Sequence, residues 1–295
     1  MELLSGVSYL QLFWGVQAAY VGYKVISSLQ NGSFFDRTQG DRDPEAKLGL
    51  FQFRKRFTLY YFVAVVFNGW VWYRIVGACV FGHPLNSDGL QRLLDTLAAP
   101  SRGSVDATCA ALATTMLLVH TGRRLYENLY VNIYSHRQTR SPPELLLDVA
   151  FVVAAGLSLV AEVSYQPHAP STFTSCRLWH VPTLALFGWA NVMQHRCYIK
   201  LAKLRRNRMG HIVTTGYKIP KGDWFDYVCC PQYFAESVIY VTIGLVLGCE
   251  NVTWWALAGY VATNQLYLAY SARCWYRQKF EAFPRDRKMI IPYIL

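Results

Sequence analysis

Seven stretches of roughly 20 mostly apolar residues, the length a helix needs to cross a bilayer, constrain this chain more than any other feature. They lie at about 5–27, 57–81, 106–131, 145–166, 177–199, 232–249 and 251–272. No β-barrel alternation is visible, so helices are the only spanning structure expected. The predicted fold class is all-α: a polytopic membrane protein of seven transmembrane helices, forming one integral domain over 1–295. Composition agrees, with 53% hydrophobic and only 16% charged residues, against about 25% charged in a soluble domain. The net charge of +11 lies between apolar segments rather than on a soluble basic patch, so no nucleic-acid partner is expected.

Charge placement gives an orientation. The first connection carries Arg37, Arg42, Lys47, Arg54, Lys55 and Arg56, and the third carries Arg137 and Arg140. The fifth carries Lys200, Lys203, Arg205, Arg206, Arg208, Lys218 and Lys221, and the tail adds Arg273, Arg277, Lys279, Arg285, Arg287 and Lys288. The second connection has only Arg92 and Arg102, while the fourth and sixth have no Lys or Arg. With seven spans, this alternation predicts a lumenal N-terminus and a cytosolic C-terminus. The first apolar segment lacks a basic leader and a small-residue cleavage site, so it reads as a retained helix.

Two glycosylation sequons are expected to be chance matches. Asn31-Gly32-Ser33 falls on the cytosolic side, and Asn251-Val252-Thr253 sits in a minimal turn between the last two spans. That turn is so short that these spans are expected to form an antiparallel hairpin. The eight cysteines include no CxxC pair and no Cys/His spacing suited to zinc, so reduced thiols and no structural metal are expected.

Polar side chains then stand out because ionisable groups inside a span are costly and normally face a bundle interior or wet cavity. His120, Arg124 and either Glu127 or Asn128 share one helical face of the third span. They suit an internal Arg124–Glu127 pair, arginines reaching the interface, or a wall facing an anionic ligand that Asn128 and Asn132 extend. The fifth span ends in Asn191, Gln194, His195 and Tyr198 before its basic run. The loop TTGYKIPKGDWFDY, punctuated by Gly216, Pro220 and Gly222, leads into a helix where Gln232, Tyr233, Glu236 and Tyr240 recur at helical spacing. Glu236 suits a helix N-terminus or hydrogen bonds from a ribose or an amide. Cations for phosphates, amides for a polar ring and aromatics for stacking suit a dinucleotide entering from the cytosol. No GxGxxG, Walker A, HExxH or GxSxG sequence is present.

The C-terminal pattern KIPKGDWFDYV, then PQYFAE, then WYRQKFEAFPRDRKMIIP, resembles the steroid 5-alpha-reductase family over about 191–295. LVHTGRRLYENLYVNIYS at 118–135 adds a second block. The DWF element and the His120-to-Tyr134 block are most similar to the polyprenol reductase branch. The resemblance implies a seven-span endoplasmic-reticulum enzyme that binds NADPH within the helix bundle, with its nicotinamide facing a lipid cavity. It implies substrate-side helices over 1–175 and an NADPH-binding reductase region over 176–295. Cofactor positions carried over are Arg124, Asn132, Gln194, Tyr198, Arg205, Lys218, Gln232, Tyr233, Glu236, Arg273 and Tyr276. Thr121 stands where steroid members have the carbonyl-binding Tyr, Tyr60 where they have its acidic partner, and Arg273 where relatives often carry His.

The implied reaction reduces the α-isoprene double bond of a polyprenoid such as polyprenal on the route to dolichol, which supports protein N-glycosylation. Such chemistry needs a donor at the carbonyl oxygen, and Tyr60, Tyr61 and His120 are the candidates. The expected partners are the polyisoprenoid substrate and the bilayer, with no obligate protein partner. The alternatives are reduction of a steroid enone or a 2-enoyl thioester, and, from a different class, a seven-helix receptor.

Overall fold

The computed structural model describes residues 7–31, 46–81, 89–98, 105–134, 142–163 and 177–294. Eight α-helices are present among them: α1 (Tyr9–Asn31), α2 (Ala46–Phe81), α3 (Gly89–Leu97), α4 (Ala107–Tyr126), α5 (Pro142–Val160), α6 (His180–Lys203), α7 (Pro231–Leu247) and α8 (Val252–Lys279). The all-α expectation holds for the described residues, which form only isolated β-bridges and no strand ladder.

Each expected span falls on one long helix, with boundaries moved by capping. α2 begins at Ala46, so the basic run Arg54–Arg56 is already helical. α5 ends at Val160 rather than continuing to 166, because Glu162 is used elsewhere. Its carboxylate accepts from Val252 N at 2.9 Å and from Thr253 N at 3.0 Å, filling the open amides at the start of α8. The short α3 lies in the second connection and was not anticipated. Residues 32–45, 135–141 and 164–176 lie outside the described set, and with them the first sequon beyond Asn31 and much of the charge assigned to the first and third connections.

The last two long helices form the expected hairpin. Gly248, at φ +86°, turns the chain, Asn251 accepts from Trp254 N at 2.8 Å as the N-cap of α8, and Trp254 stacks on Tyr240 at 11°. Asn251 is fully buried and donates to Ser158 O at 3.1 Å, so the second sequon is a structural cap without room for a glycan. At the same end, Val105 pairs with Val163 and Gln11 donates to Thr253 Oγ1 at 3.2 Å. The starts of α1 and α4 therefore meet the end of α5 and the α7–α8 turn, leaving the opposite helix ends grouped at the other pole.

Trp14 of α1, completely buried, donates to Ser158 Oγ at 2.9 Å and packs against Phe151 and Tyr260. Small residues set the helix spacing: a Cβ at Gly156 would lie 2.7 Å from Asn68 Oδ1 and 2.8 Å from Phe67 Cε1. Outward, large apolar side chains face away from the protein on most long helices, including Leu146 (72% exposed) on α5 and Val181 (68%) on α6. By length and composition, Thr58–Val80 and Pro143–Val160 are long and apolar enough to cross a bilayer. An exposed apolar surface of this extent suits contact with lipid rather than water.

Candidate active site

The end of α4 departs from regular helix. Glu127–Val131 form a π-turn, a rare geometry that is frequent at functional sites. A regular helix would bring 127 or 128 onto the inner face; the wider turn buries both Glu127 and Asn128 completely. Asn128 donates to Thr58 Oγ1 of α2 at 2.8 Å and accepts from the Tyr134 hydroxyl.

Glu127 is the node of a buried knot. Arg124 Nη1 donates to it at 2.5 Å, His195 Nδ1 lies 2.8 Å from it, and Arg123 is its third partner. Of the readings open for this face, the Arg124–Glu127 pair is thus present, yet Arg124 also borders open space. Its Nη2 donates to the Tyr61 hydroxyl at 2.9 Å, and its guanidinium sits 4.2 Å above the Tyr198 ring, a cation–π placement.

Arg123 organises the other side. It donates to Asn191 Oδ1 at 2.9 Å, to Gln194 Oε1 and to His120 Nδ1 at 3.2 Å. Because arginine only donates, His120 Nδ1 must accept, and the ring proton sits on Nε2. That nitrogen faces Glu236 Oε1 at 3.4 Å. Gln194, with its oxygen taken by Arg123, turns its amide nitrogen to Glu236 and to Gln232 O at 3.2 Å. One arginine thereby sets the donor direction of two neighbours toward a single carboxylate.

Two cavities flank this knot. The outer, about 300 Å³, is lined by Arg124, Asn132, Tyr198, Arg205, Lys218, Gln232, Tyr233 and Tyr276, among others, with no carboxylate among the described lining residues. Arg205 donates to Ile133 O and lies 5.2 Å over the Tyr217 ring. The inner cavity, about 340 Å³, is lined by Tyr60, Tyr61, His120, Thr121, Gln194, Glu236 and Tyr240, with Asp148, Asn264 and Gln265. Both volumes are within the range of small-molecule sites. Tyr61, Arg124, Tyr198 and Tyr233 line both and form the seam.

The structure therefore gathers the three donor candidates at the inner chamber and most of the cofactor candidates at the outer one. Gln194 and Glu236 face the inner chamber instead. Arg273 lines neither; its Nε donates to Arg287 O at 3.0 Å, fastening the C-terminal segment to α8. Each chamber draws on residues from both sides of position 176. Sequence reading passed over Asn68, Asp148, Asn264 and Gln265 as lining residues, although a polar residue inside an apolar span was the available signal.

Buried oxygens of Asn68, Gln232 and Gln265 have no hydrogen-bond partner among the described residues, and buried polar groups rarely stay unsatisfied. At the outer chamber, Gln232 Oε1 can accept from a carboxamide while Arg205 and Lys218 supply positive charge for phosphates. The donor set thus fits a dinucleotide such as NADPH.

Comparison with known proteins gives a family of reductases. The model of the family described as "3-oxo-5-alpha-steroid 4-dehydrogenase" matches residues 142–295. Polyprenal reductase of Xenopus tropicalis is 30% identical over 300 residues, covering 99% of this chain and 97% of the relative. Polyprenal reductase of Danio rerio is 32% identical over 251 residues, covering 83% and 81%. The Homo sapiens protein of that name is 30% identical over 248 residues, covering 82% and 77%. By the family match and by similarity over nearly its whole length, the chain belongs to the steroid 5-alpha-reductase family.

Proposed function

We propose that this chain is an NADPH-dependent reductase of polyprenal, saturating the α-isoprene double bond conjugated to the aldehyde on the route from polyprenol to dolichol. The observation that carries this reading is the seam: a cationic chamber and a phenol-lined chamber share Tyr61, Arg124, Tyr198 and Tyr233. A reductase needs such a junction, because the hydride donor and the acceptor carbon must come into contact in a dry space.

In this reading Arg205 and Lys218 bind phosphates, Gln232 and Asn132 orient the nicotinamide end, and Arg124 with the tyrosines of the seam closes the junction to water. Bound NADPH supplies a hydride to the β-carbon. The chain's own task is to hold that ring against the double bond and to stabilise negative charge developing on the carbonyl oxygen. Apolar residues of the inner chamber, among them Leu117, Phe151, Val152 and Leu268, suit an isoprenoid.

The same reading includes the membrane setting. Seven helices span the endoplasmic-reticulum membrane, with the N-terminus lumenal and the C-terminus cytosolic, and the product serves protein N-glycosylation. The outer chamber is walled by the basic fifth connection, through Arg205 and Lys218, and in this reading that is the side on which NADPH enters.

The test is NADPH consumption by purified protein with polyprenal, a steroid enone and an enoyl-CoA in parallel. Saturated polyprenal should dominate the products. Efficient reduction of the steroid enone with no turnover of polyprenal would overturn the substrate assignment.

A further inference from the structure

We propose that Tyr61, backed by Arg124, is the group that hydrogen-bonds the substrate carbonyl oxygen, so that in this chain the donor stands on α2 rather than on α4. The inference deepens the reductase reading and rests on it. Three observations separate Tyr61 from the other candidates.

The first is position. Tyr61 lines both chambers, whereas Tyr60 and His120 line only the inner one. Hydride transfer brings cofactor and substrate together at the seam, and in a conjugated aldehyde the carbonyl oxygen stays within three bonds of the β-carbon. The donor must therefore stand near the junction.

The second is hydrogen-bond direction. Tyr61 accepts from Arg124 Nη2 at 2.9 Å, and its own O–H finds no acceptor among the described residues. The proton of Tyr61 is free for a ligand. That of His120 Nε2 is directed at Glu236, because Arg123 occupies Nδ1. Thr121, on the α4 face of the inner chamber, turns its hydroxyl back to Leu117 O at 2.9 Å.

The third is charge. A guanidinium hydrogen-bonded to the phenol oxygen stabilises negative charge on that oxygen, or on a carbonyl oxygen bonded through it. Tyr60 packs edge-on against Tyr61 at 4.8 Å but meets no cation among the described residues, so it lacks this support.

The β-carbon gains a C–H bond with two electrons and one proton taken from the reduced nicotinamide, which is thereby oxidised. The C=C electron pair moves between the α-carbon and the carbonyl carbon, and the C=O π pair moves onto oxygen, where Tyr61 O–H holds it. As the enolate returns to the aldehyde, the α-carbon takes one proton from solvent acid, the single H+ that the overall reduction consumes, and Tyr61 retains or recovers its own.

The experiment compares Tyr61→Phe, Tyr60→Phe and His120→Asn, each assayed for turnover and for NADP+ binding by quenching of tryptophan fluorescence. A third readout is the carbonyl stretch of 13C-labelled saturated polyprenoid aldehyde bound to the protein with NADP+. Tyr61→Phe should lower turnover about 10²-fold, as loss of one oxyanion donor does, and should retain NADP+ binding. In the unaltered protein the bound carbonyl should absorb at lower frequency than in a non-hydrogen-bonding solvent, and Tyr61→Phe should abolish that displacement. The proposal is overturned if Tyr61→Phe keeps the displacement, loses NADP+ binding, or loses less turnover than Tyr60→Phe or His120→Asn. Failure of the unaltered protein to reduce polyprenal would overturn the substrate reading alone. The Tyr61 comparison would then be run with the enone it does reduce.

Discussion

Two ion-pair systems in this protein set cations against a single carboxylate to opposite effect. The Arg123–Arg124–Glu127–His195 knot is buried at the end of α4, and Glu127 is completely inaccessible. The Lys200–Asp223 pair, 2.7 Å apart, joins α6 to the GDWF turn from the outside, with side chains 31% and 61% exposed. The knot fixes the direction of hydrogen bonds on both chambers, because the Glu127 carboxylate at its centre has no water to turn to, although His195 at its edge is 31% exposed. The exposed pair holds a loop whose inner face, including Phe225, Cys229 and Cys230, walls the outer chamber. Burial, more than charge count, separates structural necessity from fine adjustment.

Breaking the knot should have the largest effect. Glu127→Ala leaves the buried Arg124 and the part-buried Arg123 without their shared carboxylate, a loss on the order of 3–5 kcal/mol. Thermal unfolding in detergent should show a clear fall, with loss of both NADP+ binding and turnover. A stable, active Glu127→Ala protein would show that the knot is dispensable and that burial has been overvalued.

Next in size is Arg205→Ala, at the edge between buried and exposed. It should raise the apparent KM for NADPH about tenfold, the scale of one lost charge-assisted phosphate contact, and leave that for lipid much less changed. Equal effects on both would remove its phosphate role. At the opposite pole, Asn251→Ala deletes the α8 cap and the bond to Ser158, costing about 1–2 kcal/mol, read as a lower unfolding temperature with KM for NADPH retained.

The exposed pair should give the smallest change. Lys200→Ala or Asp223→Asn should shift NADP+ affinity by no more than a few-fold, and added salt should shrink the difference. The pH dependence has a definite sign. The hydrogen bond and charge of Lys200 hold the Asp223 carboxyl below its ordinary range. Its stabilising contribution is therefore full above the unfolded carboxylate value and is lost only as pH falls through the lower folded one. NADP+ binding in Lys200→Ala and unaltered protein should differ by a constant factor from neutral pH to about pH 5, converging only in more acid solution. The turn itself is demanding: Gly222 has φ +86°, and a Cβ there would meet Lys200 Nζ at 2.9 Å.

Much of the helix layout was legible because an apolar run of span length has few alternatives. The polar face of α4 was legible for the same reason, since His120, Arg124 and Glu127 contrast with their surroundings. Other features depended on contacts distant in sequence. Glu162 ends α5 by capping α8, some 90 residues further on. Gln194 belongs beside Glu236 rather than in the outer wall because Arg123 claims its oxygen. Arg273, placed with the cofactor by analogy, is drawn away by a backbone carbonyl of the tail. None of these choices leaves a periodic mark, as each depends on which acceptor lies nearest after packing.

By itself the sequence determined that the chain would be helical and where its long apolar helices would lie, because local hydrophobic length and the cost of unsatisfied backbone in an apolar setting are properties of each segment alone. The tertiary structure decided how the polar residues divide between two chambers and which tyrosine meets Arg124 at their seam. Hydrogen-bond direction is settled between partners, and only the packed bundle brings α2, α4, α6 and α7 within reach of one another.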